Sequence, residues 1–288
     1  MAASRYVPPV LRPLEAAKGV YRGPRDALAR MGHLITFLLK SIGSLPITFR
    51  HYSKEVWRLL ADVAWGNGAI VVGGGTVGVM VILGIMGGAT VGIEGYTALN
   101  LLGISPVTGG LSAFATTREI APLLAATAFT AQSGCRFTAQ LGSMRISEEI
   151  DALESIAIRP LPYLVTTRMA AAVLAIVPLY SVSLAANYLA CQIMFQLQSG
   201  QGAGNYLAYF NAFLLSTDMV YSFIKVIVFV LLTTFIQCYY GFFASGGPEG
   251  VGVAAGHAIR LAIIVIVFAN LVMTLVFWGT SPGIKISG

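Results

Sequence analysis

Three ionisable residues, Arg118, Glu119 and Lys225, stand inside long apolar runs of this sequence. A charged side chain at the centre of a membrane helix costs about 2.5 to 3.5 kcal/mol unless it pairs or faces water. Groups kept there serve to guide, relay or hold polar matter in an apolar medium, or they form a purely structural buried pair. Adjacent residues do not face each other on a helix, so Lys225, and not Arg118, is the candidate partner of Glu119. Pro122 has no amide hydrogen to offer the carbonyl four residues back, which leaves the Arg118 carbonyl as a further acceptor in the same polar patch, suited to a lipid headgroup. Charge reversal at Lys225 is expected to impair whatever this polar group does, and a compensating change at Glu119 to restore part of it.

A second group, between Gly134 and Pro162, is charge-dense. Glu148, Glu149, Asp151 and Glu154 are four of the twelve acidic residues of the chain, and Arg136, Arg145 and Arg159 accompany them. Ser147 reads as a helix N-cap, with Glu148, Glu149 and Asp151 in the first turn, where carboxylates complement the helix dipole. Ile146, Ile150, Leu153 and Ala157 follow at helical spacing, and Pro160 and Pro162 bar further helix. The expected product is a short amphipathic helix outside the bilayer. It either lies on the membrane or docks a protein, and its acidity favours a protein over an anionic leaflet.

Other chemistry is excluded. There is no HExxH, GxSxG or GxxxxGK[ST] motif, so neither metalloprotease, serine hydrolase nor ATP chemistry resides here. His33, His51 and His257 are far apart in sequence, and Cys135, Cys191 and Cys238 form no CxxC. The GGGTVG run at 73–78 matches a dinucleotide fingerprint only formally, because no strand-helix-strand context surrounds it.

The elements that must position these groups are membrane helices. The 288 residues are 56% hydrophobic and only 10% charged, with a mean hydropathy of +0.78, against about 25% charged in soluble domains. Unbroken apolar runs argue against a barrel. Five spans are expected, near 69–92, 113–137, 169–195 (interrupted by Pro178), 219–243 and 258–278. The stretch from Pro106 to Leu141 is longer than a bilayer is thick, so part of it is expected to be a re-entrant or extramembrane turn. Loops are expected at 93–105, 196–216 and 244–257. Gly74, Gly78, Gly84, Gly88 and Gly92 repeat every four residues or so, a pattern that lets helices approach closely in lipid.

Residues 1–65 form a basic cytoplasmic or interfacial region, and 66–288 the transmembrane domain. Ten of the eighteen Lys and Arg residues fall before residue 61, which suits an anionic membrane surface and not nucleic acid. Leu28, Met31, Ile35, Leu38, Leu39 and Ile42 share one face of a helix over 27–42, read as interfacial, the alternative being a soluble helix packed on a partner domain. Arg136, Arg145, Arg159, Arg168 and Arg260 lie on the same side as the basic N-terminus. The positive-inside rule then places the N-terminus and the charged island in the cytoplasm and the C-terminus, with Lys285, outside.

The block REIAPLLAATAFTAQSGCRFTAQLGSMRISEEIDALESIAIRP, with GIEGY at 92–96 and DMVYSFIKVIVF at 218–229, resembles the signature of the MlaE/YrbE permease family. These are the membrane subunits of Mce-associated ABC transporters that move lipids, and the basic extension resembles the actinobacterial YrbE branch. The resemblance implies an all-α integral membrane fold: an N-terminal interfacial amphipathic helix, five transmembrane helices, and a cytoplasmic coupling helix at about 143–158. It implies that Met144, Arg145, Ser147, Glu148, Glu149, Ile150, Asp151, Leu153 and Glu154 seat in a cytoplasmic ABC ATPase dimer. ATP and Mg would be bound there, with no cofactor on this chain, which is a permease subunit and not an enzyme. Arg118, Glu119, Lys225 and Asn270 would line the substrate path, Asn270 replacing an Asp found in some members. A second permease subunit, the same chain or a paralogue, and Mce-type substrate-binding proteins outside are the further partners, in the cell membrane. The lipid could be fatty acid, mycolic acid, sterol or phospholipid, with import expected. A secondary transporter or channel using the intramembrane charges is the alternative, weakened by the lack of an inverted repeat. An intramembrane lipid enzyme finds no motif to support it.

Overall fold

A computed structural model describes residues 29, 32–64, 66, 75–200 and 202–279. Leu28, Met31, Gly74, Lys285 and most of the basic N-terminal residues lie outside the described residues. Every regular element among the described residues is helical, as lipid demands: a spanning segment must satisfy its backbone hydrogen bonds within itself.

Helices α4 (Gly75–Asn100), α7 (Leu161–Ser199), α9 (Ser216–Phe242) and α10 (Gly247–Trp278) are each long and apolar enough to cross a membrane. Between α4 and α7 a continuous helical path over 105–146, here α5, carries the polar patch. The expected re-entrant turn is absent from it. The path is relaxed instead by two π-helical stretches, Ser112–Ile120 and Thr130–Gly134. The wider turns accommodate Pro122, in the first turn of the α-helical stretch that starts at Ala121, and the helix runs unbroken through the expected span 113–137.

Three expected loops are also largely helical. Nothing breaks the helix between Ile93 and Asn100, so α4 runs on past Glu94 to end near Gly103, whose φ is +72°. Pro178 sits inside α7 without ending it, and the Gly/Gln/Asn-rich stretch contains helix α8 (Ala203–Phe213). Tyr206 of α8 is 1% exposed and packs on Cys191 and Phe195. On the opposite side, α10 starts at Gly247, where Pro248 occupies the first turn and needs no amide partner.

The glycines of α4 do bring a neighbour close. A Cβ on Gly84 would lie 2.6 Å from the Ser183 carbonyl oxygen, and one on Gly92 would lie 2.8 Å from that of Cys191. Gly88, between them, meets the Asn187 carbonyl more closely still. The α4–α7 crossing is therefore a contact of backbone on backbone. Phe129, Phe137, Leu141, Met169, Ile176 and Val226 fill the core between α5, α7 and α9.

Before α4, helices α1 (Gly32–Gly43) and α2 (Leu45–His51) meet at a 42° bend, and α3 (Ser53–Ala64) follows. By length and composition the bent pair could be one span, but its contacts hold it at one end of the bundle. Phe37 packs among Phe235, Tyr239, Phe242 and Phe243 at the end of α9. His33 Nδ1 lies 2.8 Å from the Tyr239 hydroxyl, Ser44 Oγ 2.8 Å from Thr166 Oγ1, and Thr48 Oγ1 donates to the Pro162 carbonyl at 3.2 Å. The face that packs is thus Phe37, Ser41, Ser44 and Thr48. The expected apolar stripe is divided: Leu38 packs against the core beside Phe37, while Ile35, Leu39 and Ile42 are exposed, as suits a helix that lies in a membrane interface.

Candidate functional site

The polar patch assembles from three helices. The first π-helical stretch of α5 supplies Arg118 and Glu119; α9 supplies Asp218, Ser222 and Lys225, which recur on one face; α10 supplies Asn270, Thr274 and Trp278. Lys225 Nζ donates to the Arg118 carbonyl at 2.7 Å, to Thr274 Oγ1 at 2.9 Å and to Glu119 Oε1 at 3.2 Å. The carbonyl released by Pro122 thus meets an ammonium from another helix. Glu119 accepts further hydrogen bonds from Asn270 Nδ2 and Thr274 Oγ1, each at 2.7 Å. All three donors of the fully buried ammonium have partners, which is the condition under which a buried cation is tolerated.

Arg118 turns the other way. Its Nε and NH2 both reach Asp218 Oδ2 at 2.8 Å, and the Trp278 indole donates to Oδ1 at 2.8 Å. The guanidinium lies 4.1 Å from the centre of the Phe114 ring and 5.0 Å from that of Trp278. Two ion pairs therefore lock α5 to α9, one deeply buried and one at an edge, and hydrogen bonds from Asn270, Thr274 and Trp278 tie α10 to both. At that edge the Glu119 side chain is 35% exposed and opens on a groove of about 680 Å³ along α10, walled by Ile263, Ile264, Val267, Phe268 and Leu271. An apolar wall ending in a carboxylate and an amide has the polarity profile of a lipid.

The charged island is built differently from its expected form. Ser147 is not an N-cap; it closes the end of α5, its Oγ donating back to the Ser143 carbonyl at 3.0 Å. Glu148 follows with φ +59°, and the helix of the island, α6, is only Glu149–Ser155. Ala157 is left-handed as well, with φ +63°, so α6 is held between two strained joints. Ile146 and Ala157 fall outside α6, and the expected single stripe does not form. Ile150 is 1% exposed and joins the core of this chain together with the partly buried Leu153 and Met144. The exposed surface of the island includes all four acidic residues, Glu148, Glu149, Asp151 and Glu154, with Ile156 65% exposed at the helix end. Arg145 NH1 reaches Asp151 Oδ1 at 2.6 Å across the joint.

The sequence profile of the family described as Permease MlaE matches residues 66–276. The chain belongs to the MlaE permease family. Among its relatives, a protein named "Probable ABC transporter permease protein RP096" from Rickettsia prowazekii is 28% identical over 200 residues, 66% of this chain and 74% of the relative. A similarly named protein of Synechocystis is 30% identical over 182 residues, 62% and 68% of the two chains. The intermembrane phospholipid transport system permease protein MlaE of Haemophilus influenzae is 24% identical over 202 residues, 70% and 77%.

In this MlaE-family chain, reasoning from sequence missed Asp218, Thr274 and Trp278. Arg118, Glu119 and Lys225 are not the only ionisable groups buried between the helices, since Asp218 is 3% exposed and Arg168 6%. Asp218 carried a readable signal: it precedes Lys225 by two helical turns with Ser222 between, so one polar face runs along α9. Thr274 and Trp278 carried none, because their roles arise only where α10 crosses α5 and α9. Ile156 escapes the pattern because α6 ends at Ser155, one residue before it, where helical spacing no longer decides which way a side chain faces.

Proposed function

We infer that this chain is the membrane-spanning permease subunit of a lipid-moving ABC transporter, working with a separate ATPase and a second permease subunit. Membership of the MlaE family over 66–276 carries this reading. The Haemophilus relative is named for phospholipid transport, and phospholipid is the first substrate to test here, in the inward direction, received from Mce-type proteins on the opposite side of the membrane. The groove along α10 is the proposed lipid path, with Arg118, Glu119, Lys225 and Asn270 as its polar end. The α6 segment is the proposed ATPase seat. Its working face is the acidic surface with Ile156, while Ile150 and Leu153 carry any push from α6 into the core.

The α6 assignment separates two kinds of substitution. Glu149→Lys with Glu154→Lys changes only exposed residues and should leave stability within about 0.5 kcal/mol, while reversing the charge a partner meets should weaken ATPase retention by about tenfold or more. Ile150→Asp should instead destabilise the permease itself, by about 3 kcal/mol, because it buries a carboxylate in the core. Copurification of the complex and thermal unfolding in detergent read the two effects. Full ATPase retention by the double lysine variant would remove α6 as the seat. ATP-dependent movement of labelled phospholipid in proteoliposomes of the whole complex tests the function.

A further inference from the structure

A cavity of about 680 Å³ opens between α3, α5 and α7, lined by Arg58, Arg136, Arg168, Gln140, Ser143 and Asp62 among others. It lies at the α6 end of the bundle, beside Met144, and shares no residue with the Glu119 groove. Two of its arginines have carboxylates. Arg58 pairs with Glu55 at 2.5 Å, and Arg136 pairs with the Asp62 side chain and also donates to the Asp62 carbonyl at 3.0 Å. Arg168 has no carboxylate partner among the described residues. It is 6% exposed; its NH1 donates to the Leu164 carbonyl at 2.7 Å, its NH2 reaches Gln140 Oε1 only at 3.5 Å, and its Nε has no hydrogen-bond partner among the described residues. The Phe137 ring, 5.9 Å from the guanidinium carbon, is its other neighbour of note.

A guanidinium stays charged in any protein environment, and a buried charge is retained where a negative partner completes it. We propose that this cavity binds the phosphate of a membrane lipid headgroup, with Arg168 as the buried donor and Arg58 as the donor at the mouth. The planar fork of an arginine matches phosphate oxygens, and Arg58 keeps donors beyond the one given to Glu55. The lipid source follows from α3. That helix seats Val56 and Leu59 on Ala170 and Ala171 of α7 and turns Trp57, 64% exposed, outward beside Lys54 and Arg58. Tryptophan flanked by basic residues is the pattern of a segment at headgroup depth. The volume is also that of a site for a ligand of drug size, larger than a free phosphate fills. The site stands on the membrane fold alone and does not depend on which lipid is transported.

The test uses the full-length chain in neutral detergent, offered phosphatidylglycerol or diacylglycerol in mixed micelles, with bound lipid counted by native mass spectrometry. Phosphatidylglycerol is retained and diacylglycerol is not. Retention falls by about tenfold in Arg168→Gln and by about threefold in Arg58→Gln, and is unchanged in Arg260→Gln, an exposed arginine of α10. Arg58 is a surface side chain, so its variant keeps the test valid if Arg168→Gln fails to fold. Equal retention of diacylglycerol, or full phosphatidylglycerol retention in Arg58→Gln, overturns the site. Thermal protection by inorganic phosphate equal to that by phosphatidylglycerol overturns the lipid as its source. Displacement of phosphatidylglycerol when the ATPase subunit binds assigns the cavity to an acidic side chain of that partner and likewise overturns the proposal.

Discussion

Lys225→Glu should abolish transport and lower the stability of the permease by about 3 kcal/mol or more. The substitution sets a second carboxylate against Glu119 and against the Arg118 carbonyl, so acceptors that now share one ammonium would face each other with no donor but Asn270 and Thr274. Breaking a buried pair by removing one partner costs about 3 to 5 kcal/mol. The lower end applies here because the Glu119 side chain is 35% exposed and partly screened. Adding Glu119→Lys recovers part of the loss and not all of it, since the carboxylate at 225 cannot donate to the Arg118 carbonyl as Lys225 does at 2.7 Å. Thr274→Val, which removes one hydroxyl from the same cluster, should cost only about 1 kcal/mol. Lipid movement in proteoliposomes and thermal unfolding in detergent read all three variants; a Lys225→Glu chain that transports normally would sink the idea that this cluster serves the path.

The second large effect is expected where no charge is involved. Gly88→Ala should destabilise the fold by about 3 kcal/mol, and Gly88→Leu should prevent assembly of the α4–α7 pair, because the added carbon meets the backbone carbonyl of Asn187. A side chain in the way could change rotamer, but a carbonyl inside a continuous helix cannot. Relief would require the two helices to separate along the length that also carries Gly84 on Ser183 and Gly92 on Cys191. Gly204→Ala is the contrasting case. Nothing lies within 4 Å of its added Cβ, so the change should be neutral or stabilise α8 by about 0.5 to 1 kcal/mol. Unfolding curves for the pair distinguish steric contact from any general cost of replacing glycine, and a Gly88→Ala protein as stable as the parent would refute the close crossing.

The two results bear on different readings of the same bundle. The glycine seam joins α4 to α7 backbone on backbone, whereas ion pairs join α5 to α9, with hydrogen bonds to α10, beside an open groove. The proposed ATPase seat α6 and the proposed lipid path are connected by one helix, since α5 ends at the α6 joint and also carries Arg118 and Glu119, and Ile150 of α6 packs into the common core.

Much of this bundle is legible along the chain itself. The apolar runs become helices because, without water, each span must satisfy its own backbone, a requirement local in sequence. The spacing of Gly84, Gly88 and Gly92 declares a close-packed face, and the acidic cluster after Arg145 declares a segment outside the bilayer. Lys225 as partner of Glu119 follows from the cost of leaving either alone. The loop boundaries are less legible, because polarity and glycine content do not by themselves end a helix. Helix α8 and the first turns of α10 form where packing against neighbours outweighs weak local preference.

Other features have no local signal. That Arg118 answers to Asp218, that Ile150 turns inward and leaves an acidic surface, and that Arg168 is buried beside a cavity all depend on which helix faces meet. Hydrogen bonding within a helix repeats every few residues and is written along the chain. The pairing of side chains a hundred residues apart is settled only by how the helices pack, and that is where the charged island lost its single stripe and the polar patch gained its second ion pair.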